Sequence, residues 1–338
     1  MSKTEHTGGR VLLALGVLLA ALFVLSFCLG RYGVDAGTTC RILLSPLLPL
    51  EPTWTDHEYT AVMNIRLPRI VLACLVGCCL SSAGAAYQGV FQNPMASPDV
   101  LGASSGASFG AALAILAGVG NQGTTLSAFF WSLATVVLVY LVGQRAPGDR
   151  VLNLVLAGMV ISSLFTAATS YLKLVADPTN QLPEITYWLM GSLSGAKMDA
   201  VVFACVPMLA GLLVLFLLRW QLGVLTMGDE EARAMGVNAK AVRLIVILAA
   251  TLITAAGVAV CGAIGWVGLV IPHLCRKLVG SNYRYLMPAS MVLGALFLLI
   301  VDNISRNLYA TELPIGILTA FTGAPFFLYL MLRKGGAR

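Results

Sequence analysis

The chain has 338 residues, of which 58% are hydrophobic and only 11% are charged, and its 21 basic and 15 acidic side chains leave a net charge of +6. Soluble domains carry about 25% charged residues, so this composition excludes a soluble globular protein. Apolar runs of about 18 or more residues recur along the whole length, and they predict an all-α polytopic membrane protein with one transmembrane domain over residues 1–338.

About ten transmembrane helices are predicted from these runs, and the eighth is short and continuous with a break expected at Pro272 and His273. We divide the domain into a first helix and outer loop (1–60), helices two to six (61–218), a cytoplasmic coupling segment (219–243) and helices seven to ten (244–338). The predicted spans are 11–29, 61–90, 99–117, 124–142, 151–172, 198–218, 242–262, 264–276, 286–305 and 314–332.

The basic residues are distributed unequally between the two sides of the membrane that these spans define. Ten spans place both termini on the same side of the membrane. The segments on that side contain 14 of the 21 basic residues but only 6 of the 15 acids. By the positive-inside rule, this asymmetry predicts cytoplasmic N- and C-termini. The net positive charge is therefore a topology signal, and no nucleic-acid partner is expected.

Small residues recur at every fourth position in spans two and three. At this spacing they let helix backbones approach closely in lipid. The pattern fits ordinary helix packing, and it also fits a tightly packed helix pair beside a transport pathway. The stripes are Gly77, Ser81, Ala85 and Gly89 in span two, and Gly102, Gly106 and Gly110 in span three.

Span five carries a polar stripe at three- or four-residue spacing, formed by Ser162, Thr166, Thr169 and Lys173. One interpretation is that these residues line a water-filled pathway. The alternative is that the hydroxyls bond back to carbonyls of their own helix. Lys173 favours the pathway, because a charge within the membrane needs water or a partner.

The longest polar interruption in the second half of the chain covers residues 221–243. Three acids at 229–231 open a short helix-compatible segment, where they favour the positive end of a helix dipole. Gly236 is suited to a left-handed cap, and Asn238 can cap the helix that follows. We predict two sharply bounded helical pieces at a membrane surface. Such pieces could transmit a displacement from a soluble partner to the helices behind them.

Arg66, Arg69 and Arg306 oppose the usual charge bias, because they lie at the predicted outer ends of spans two and nine. No nearby cluster of acids is expected to neutralise them. One interpretation is a docking site for acidic side chains of an extracytoplasmic protein, since a guanidinium binds a carboxylate through two parallel hydrogen bonds. The alternative is that they anchor the helix ends among lipid headgroups.

No catalytic constellation is evident. Residues 191–197 (GSLSGAK) approach a phosphate-binding loop, but the spacing is wrong and no Ser or Thr follows the lysine. Cys74 and Cys78 have the only metal-like spacing, and we interpret them as packing residues. We therefore expect no enzymatic activity, resident metal or cofactor in this chain, and ATP-driven transport would need a second chain.

Six stretches of the sequence resemble FecCD-type permeases, the membrane subunits of binding-protein-dependent ABC importers for iron chelates, heme and cobalamin. They follow the expected order and cover most of the chain from Arg66 onward. They are RLPR at 66–69, SSAGAAYQGVFQNPMASPDVLGASSGASFGA from 81, YWLMGSLSG from 187, LGVLTMGDEEARAMGV from 222, GWVGLVIPHLCR from 265 and ELPIGILTAFTGAPFF from 312.

The resemblance implies a type II ABC importer permease fold, a second permease subunit (most simply a homodimer) and a cytoplasmic ABC ATPase dimer that uses the ATP. It also implies an extracytoplasmic substrate-binding protein, whose acids would pair with Arg66, Arg69 and Arg306. Short helices between spans six and seven would contact the ATPase. The implied contact residues are Gly228, Asp229, Glu230, Glu231, Ala232, Arg233, Met235, Gly236 and Val237.

The cargo implied by the resemblance is an iron(III)-siderophore or similar metal chelate, with heme and cobalamin as alternatives. The implied location is the cytoplasmic membrane of a bacterium or archaeon. An ion-gradient-driven secondary transporter is an alternative from another class, but it requires acids within the membrane, and Asp302 is the only clear candidate. A membrane-embedded enzyme is disfavoured by the missing catalytic site.

Overall fold

The computed structural model describes residues 3–49, 51–309 and 311–334. Over these residues the chain is helical and contains no strand, which confirms the predicted fold class. Arg338, one of the basic residues counted for the topology, lies outside the described residues. The helices are α1 (Lys3–Cys28), α2 (Ala36–Leu44), α3 (Asp56–Tyr59), α4 (Leu67–Val90), α5 (Ala103–Leu116), α6 (Gly120–Arg145), α7 (Arg150–Val175), α8 (Gln181–Leu189), α9 (Met198–Leu217), α10 (Arg219–Leu225), α11 (Asp229–Ala234), α12 (Ala239–Cys261), α13 (Val267–Val279), α14 (Tyr283–Asn307) and α15 (Ile315–Lys334).

In the described part of the chain, seven helical stretches are long and apolar enough to cross a membrane. Six are α1, α6, α7, α9, α12 and α14, and the seventh joins α3 to α4 through a π-helical segment at Thr60–Arg66. Helices α5, α13 and α15 occupy the other three predicted spans, with 14, 13 and 20 residues. The chain is thus a multi-pass membrane protein.

The break expected at Pro272 and His273 in the eighth predicted span does not interrupt the helix. Helix α13 continues through Pro272 and His273 to Val279. Proline has no backbone N–H, so the carbonyl of the residue four positions earlier, Gly268, loses its helical donor. The side chain of Gln88 on α4 supplies a replacement, because its Nε2 donates to the Gly268 carbonyl at 3.3 Å.

Helices α4, α12 and α14 form the buried centre of the bundle. The apolar stretches of α4 and α12 are 78% and 72% buried, whereas those of α1 and α7 are only 11% and 17% buried. A helix that is apolar all round belongs either in a protein core or against lipid. The outer helices therefore present their apolar surfaces to lipid or to another chain.

The small-residue stripe of α4 packs against α14. A Cβ atom added to Gly77 would lie 2.2 Å from the Gly294 carbonyl oxygen, and Ser81 Oγ donates to the Ser290 carbonyl at 2.7 Å. The stripe of α5 has a different partner, since a Cβ on Gly110 would lie 2.5 Å from the carbonyl oxygen of Ser127 on α6. Close packing is confirmed, but the two stripes do not pack against each other.

Two ends of the bundle can be defined from α1 and α14, which run in the same direction. At one end, a Cβ on Gly8 would lie 3.0 Å from the ring of Tyr285. At the other, Arg306 Nη2 donates to the Ser26 carbonyl at 2.9 Å, and we name this the arginine end. Helix α4 runs the opposite way, and segment 219–238 contacts its last turn. We name that end the coupling end.

Candidate functional sites at the two ends of the bundle

The polar segment of residues 221–243 folds as predicted into sharply bounded helical pieces at the coupling end. Helix α11 has six residues and begins with the three acids, and Gly236 after it is left-handed with φ 77°. Asn238 Oδ1 accepts a hydrogen bond from Ala241 N at 3.2 Å and caps α12. Both caps are confirmed. The sequence did not reveal that α10 is a separate helix.

Two side chains of this segment anchor it to the bundle. Ala232 is fully buried and Val237 is 6% exposed. Arg243 on α12 donates to both carboxylate oxygens of Asp229, at 2.8 and 3.4 Å, and so fixes the first turn of α11. Such bidentate pairs restrict orientation as well as distance. The remaining candidates lie at the surface: Gly228 is half-buried, and Glu230, Glu231, Arg233, Met235 and Gly236 are exposed.

At the arginine end, Arg69 lies between two acids. Its Nε donates to Asp302 Oδ1 and its Nη1 to Glu312 Oε2, both at 2.7 Å. The Arg69 side chain is 6% exposed and that of Asp302 is fully buried. Arg306 Nε lies 3.5 Å from the other oxygen of Asp302. A buried carboxylate is therefore compensated by two guanidinium groups.

Arg66 and Arg306 hold the C-terminal end of α1. Arg66 Nη1 donates to the Phe27 carbonyl at 2.6 Å, and its Nη2 donates to the Tyr32 carbonyl. Arg306 Nη2 donates to the Ser26 carbonyl at 2.9 Å. The last carbonyls of a helix lack intrahelical donors, and a cation there also favours the negative end of the helix dipole. These arginines thus donate hydrogen bonds to helix-end carbonyl groups for which lipid offers no donor.

The prediction that no acids neutralise the arginines is wrong for Arg69 and Arg306. Asp302 and Glu312 follow Arg69 by 233 and 243 residues, so only the fold brings them together. One signal was available, since Asp302 and Arg306 are four residues apart on one helix. Arg66, Arg69 and Arg306 are 4%, 5% and 7% exposed, and their docking role stays a prediction. Sequence reasoning also missed the exposed Arg31, whose Nε donates to the Arg306 carbonyl at 2.9 Å.

The four residues of the polar stripe lie on one face of α7 but differ in exposure and bonding. Thr166 Oγ1 donates to the Ser162 carbonyl and Thr169 Oγ1 to the Phe165 carbonyl, both at 2.8 Å, as in the alternative of back-bonded hydroxyls. Thr169 is buried, Thr166 is exposed, and Ser162 and Lys173 are half-buried. A pathway role for these four residues stays a prediction.

Two cavities open on the bundle surface. An apolar cavity of about 560 Å³ lies between the end of α8, Ala263 and one face of α15, with Met190, Ile317 and Phe321 in its lining. A more polar cavity of about 600 Å³ lies between the starts of α6 and α9 and the end of α12, and its lining includes Glu184 and Lys197. Because α15 contributes to the first cavity, movement of that helix would change its shape.

The architecture is that of a membrane permease, with a buried helical core, apolar outer helices and polar elements at its two ends. The FecCD transport family model matches residues 18–333. The chain therefore belongs to the FecCD transport family, and it is a permease of the ABC importer type.

Curated relatives span nearly the same length. The chain is 38% identical to the molybdate import system permease protein MolB of Haemophilus influenzae, over 97% of each chain. It is 38% identical to a probable iron chelatin transport system permease of Helicobacter pylori, over 81% of this chain and 83% of that one. The hemin transport system permease HmuU of Yersinia pestis is 36% identical, over 95% and 96%.

A solved structure has the same fold. It is an inward-facing conformation of a transporter assigned to the metal-chelate type of ABC transporter. It superposes with a TM-score of 0.86 at 37% identity, covering 96% of this chain and 99% of the other. The superposition therefore extends over nearly the whole chain.

Proposed function

We propose that this permease imports a metal chelate, of the iron(III)-siderophore class, driven by ATP hydrolysis in a separate cytoplasmic ATPase dimer. The observation that carries this proposal is the near-complete match to a metal-chelate type transporter, at a TM-score of 0.86. The coupling end faces the cytoplasm and the arginine end faces outward, in the cytoplasmic membrane of a bacterium or archaeon. Both termini are then cytoplasmic, in keeping with the charge asymmetry.

The ATPase contact in this proposal is the exposed surface from Gly228 to Val237. The support is its geometry. Helix α11 has six residues and is held to α12 by the ion pair between Asp229 and Arg243. Glu230 and Glu231 on the same helix are exposed. A rigid element transmits displacement to the helices behind it better than a flexible loop does. The chain contributes this contact and binds no nucleotide itself.

Replacing Glu230 and Glu231 by Lys should weaken ATPase binding by about tenfold or more, because each reversal exchanges attraction for repulsion of about 1 kcal/mol. ATP-driven uptake should fall with it. The measurement is ATPase co-purification and uptake in proteoliposomes, with Glu51→Lys in the outer loop as the matched charge reversal. Full uptake by the double variant would contradict the coupling role.

The binding protein is proposed to dock at the arginine end. Arg66, Arg69 and Arg306 are largely buried and outnumber the neighbouring acids Asp302 and Glu312 by one. The exposed Arg31 adds a further positive charge at this corner. Clustered charge steers association with an acidic partner even where the contacts themselves are few.

Reversing Arg66 and Arg306 to Glu should weaken binding-protein affinity, most at low salt, where charges are least screened. The same arginines hold α1, so affinity is measured only on protein that retains its wild-type elution volume and helicity. Arg66→Gln with Arg306→Gln, which keeps hydrogen-bond donors, is the milder pair, and Lys197→Glu is the control reversal. Unchanged low-salt affinity in folded protein would assign these arginines to structure alone.

A second cargo class is an oxyanion. The observation favouring it is the similarity to a molybdate permease over 97% of both chains. Heme and cobalamin remain alternatives within the same family. Purifying the complex with its binding protein and identifying the bound ligand by mass spectrometry and metal analysis decides among them. A chelated metal supports the proposal, and a bare oxyanion overturns its cargo.

The permease is further proposed to pair with a second copy of itself. The support is the apolar exposed surface of α7 and α15, on which Val160, Leu164 and Phe321 are 70%, 66% and 76% exposed.

The alternative of an ion-gradient-driven secondary transporter loses its candidate ion site, because Asp302 is paired with Arg69 and Arg306. Uptake by this chain alone, driven by a proton or sodium gradient, would restore that alternative.

A further inference from the structure

The loop that joins α4 to α5 begins with a strained residue. Gln92 has φ 47°, and it and Trp266 are the non-glycine residues with positive φ in the described part of the chain. Side chains with a Cβ rarely adopt this conformation, and it persists only where surrounding interactions compensate for it. Part of the compensation is local: Gln92 follows the C-cap of α4, and the Asn93 N–H closes the helix by donating to the Gln88 carbonyl at 3.2 Å. The side chain of Gln92 makes a further, long-range contact.

The side chain of Gln92 caps the helix that precedes the coupling surface. Its Nε2 donates to the Leu225 carbonyl at 2.9 Å, across 133 residues of sequence. Leu225 is the last residue of α10 and is 1% exposed, and its carbonyl has no donor within the helix. Besides Gln92, the Gly228 N–H donates to it at a longer distance of 3.4 Å. The backbone of Gln92 is held at the same time, because its N–H donates to the Gly89 carbonyl at 3.3 Å.

The two partners of this hydrogen bond belong to different elements of the fold, the α4–α5 loop and the end of α10. Leu225 lies three residues before Gly228, where α11 and the proposed ATPase contact begin. Beyond Gln92, the same loop reaches α13 and α7: a Cβ on Gly268 would lie 2.4 Å from Pro98, and one on Gly158 would lie 2.1 Å from the Val100 carbonyl oxygen. Displacement of the loop would thus reach two membrane helices.

We propose that Gln92 is a positioning residue that transmits motion of the coupling segment to the loop of residues 91–102. This inference rests on the proposed function, in which the segment contacts an ATPase. The proposal requires two arrangements: the one in this structure, with Gln92 bonded to Leu225, and one in which α10 has moved away and this bond is broken. A partner that displaces α10 selects between them, and the loop follows.

The test uses the complete importer in proteoliposomes, with cargo taken up and ATP hydrolysed measured together. Gln92→Glu replaces the donor amide by a carboxylate that repels the Leu225 carbonyl. Gln92→Gly removes the side chain, and glycine adopts positive φ without strain. A loss seen in this variant is therefore not caused by a backbone that cannot fold. Gln144→Glu, an exposed glutamine at the end of α6, is the matched control at the same end of the bundle.

In both Gln92 variants, cargo transported per ATP should fall by about two- to tenfold, the range expected for one hydrogen bond, while ATPase binding and hydrolysis stay near wild type. Hydrogen exchange of residues 219–237 should rise. Unchanged transport per ATP, an equal loss in Gln144→Glu, or loss of ATPase binding would overturn the inference. A wild-type complex without ATP-dependent uptake would instead overturn the proposed function.

Discussion

Replacing Arg69 by Met is expected to lower the free energy of unfolding by about 3–5 kcal/mol, because it leaves the buried carboxylate of Asp302 without its nearest cation. Glu312, three residues before the start of α15, loses its partner as well. Unfolding is measured by titration with denaturing detergent. The control is Arg41→Met, which removes an exposed arginine bonded to Thr53 Oγ1 and should cost less than about 1 kcal/mol.

A compensating variant separates this electrostatic cost from lost packing. In Arg69→Met with Asp302→Leu, the uncompensated carboxylate is gone, and much of the lost stability should return. If Arg69→Met costs less than about 1 kcal/mol, or if the double variant is no more stable than the single, the buried ion pair does not organise this end of the bundle.

Replacing Gly84 by Ala is expected to cost about 1–3 kcal/mol, because the new methyl group would lie 1.8 Å from the Gly268 carbonyl oxygen on α13. A backbone atom cannot rotate away as a side chain can, so the two helices must separate. The measurement is the same detergent titration, together with the elution volume of the purified protein.

The control for Gly84 is Gly257→Ala on α12, another helix interior. There the nearest atom, Met208 Cε, would lie 3.7 Å from the methyl group, which is ordinary contact. This variant should be neutral or up to about 1 kcal/mol more stable, because alanine favours the helix. Equal losses of unfolding free energy at the two glycines would show that the close approach of α4 and α13 is not what makes Gly84→Ala destabilising.

The two predictions concern different parts of one arrangement. Gly84 sets how closely α4 approaches α13, whose Gly268 carbonyl is freed by Pro272 and bonded by Gln88. Arg69 holds the other end of α4 to α14 and to the start of α15. Helix α4 is thus held at two points along its length, to α13 near one end and to α14 near the other.

Local features of this chain followed directly from its sequence. Hydrophobic runs of membrane length predict helices, since lipid offers no partner for backbone N–H and C=O groups. The cap at Gly236 and the cap at Asn238 were predictable because each depends on residues only a few positions away. The six matching stretches identified the family for the same reason, since each is a short contiguous pattern.

Only the tertiary structure decided which distant residues meet. The acids that neutralise Arg69, the use of Arg66 and Arg306 to hold α1, and the bond from Gln92 to Leu225 all join groups separated by 34 to 280 residues. Helical periodicity shows which side of a helix is apolar or small, but not which neighbour it faces. That choice depends on how all the helices pack together, which no local pattern encodes.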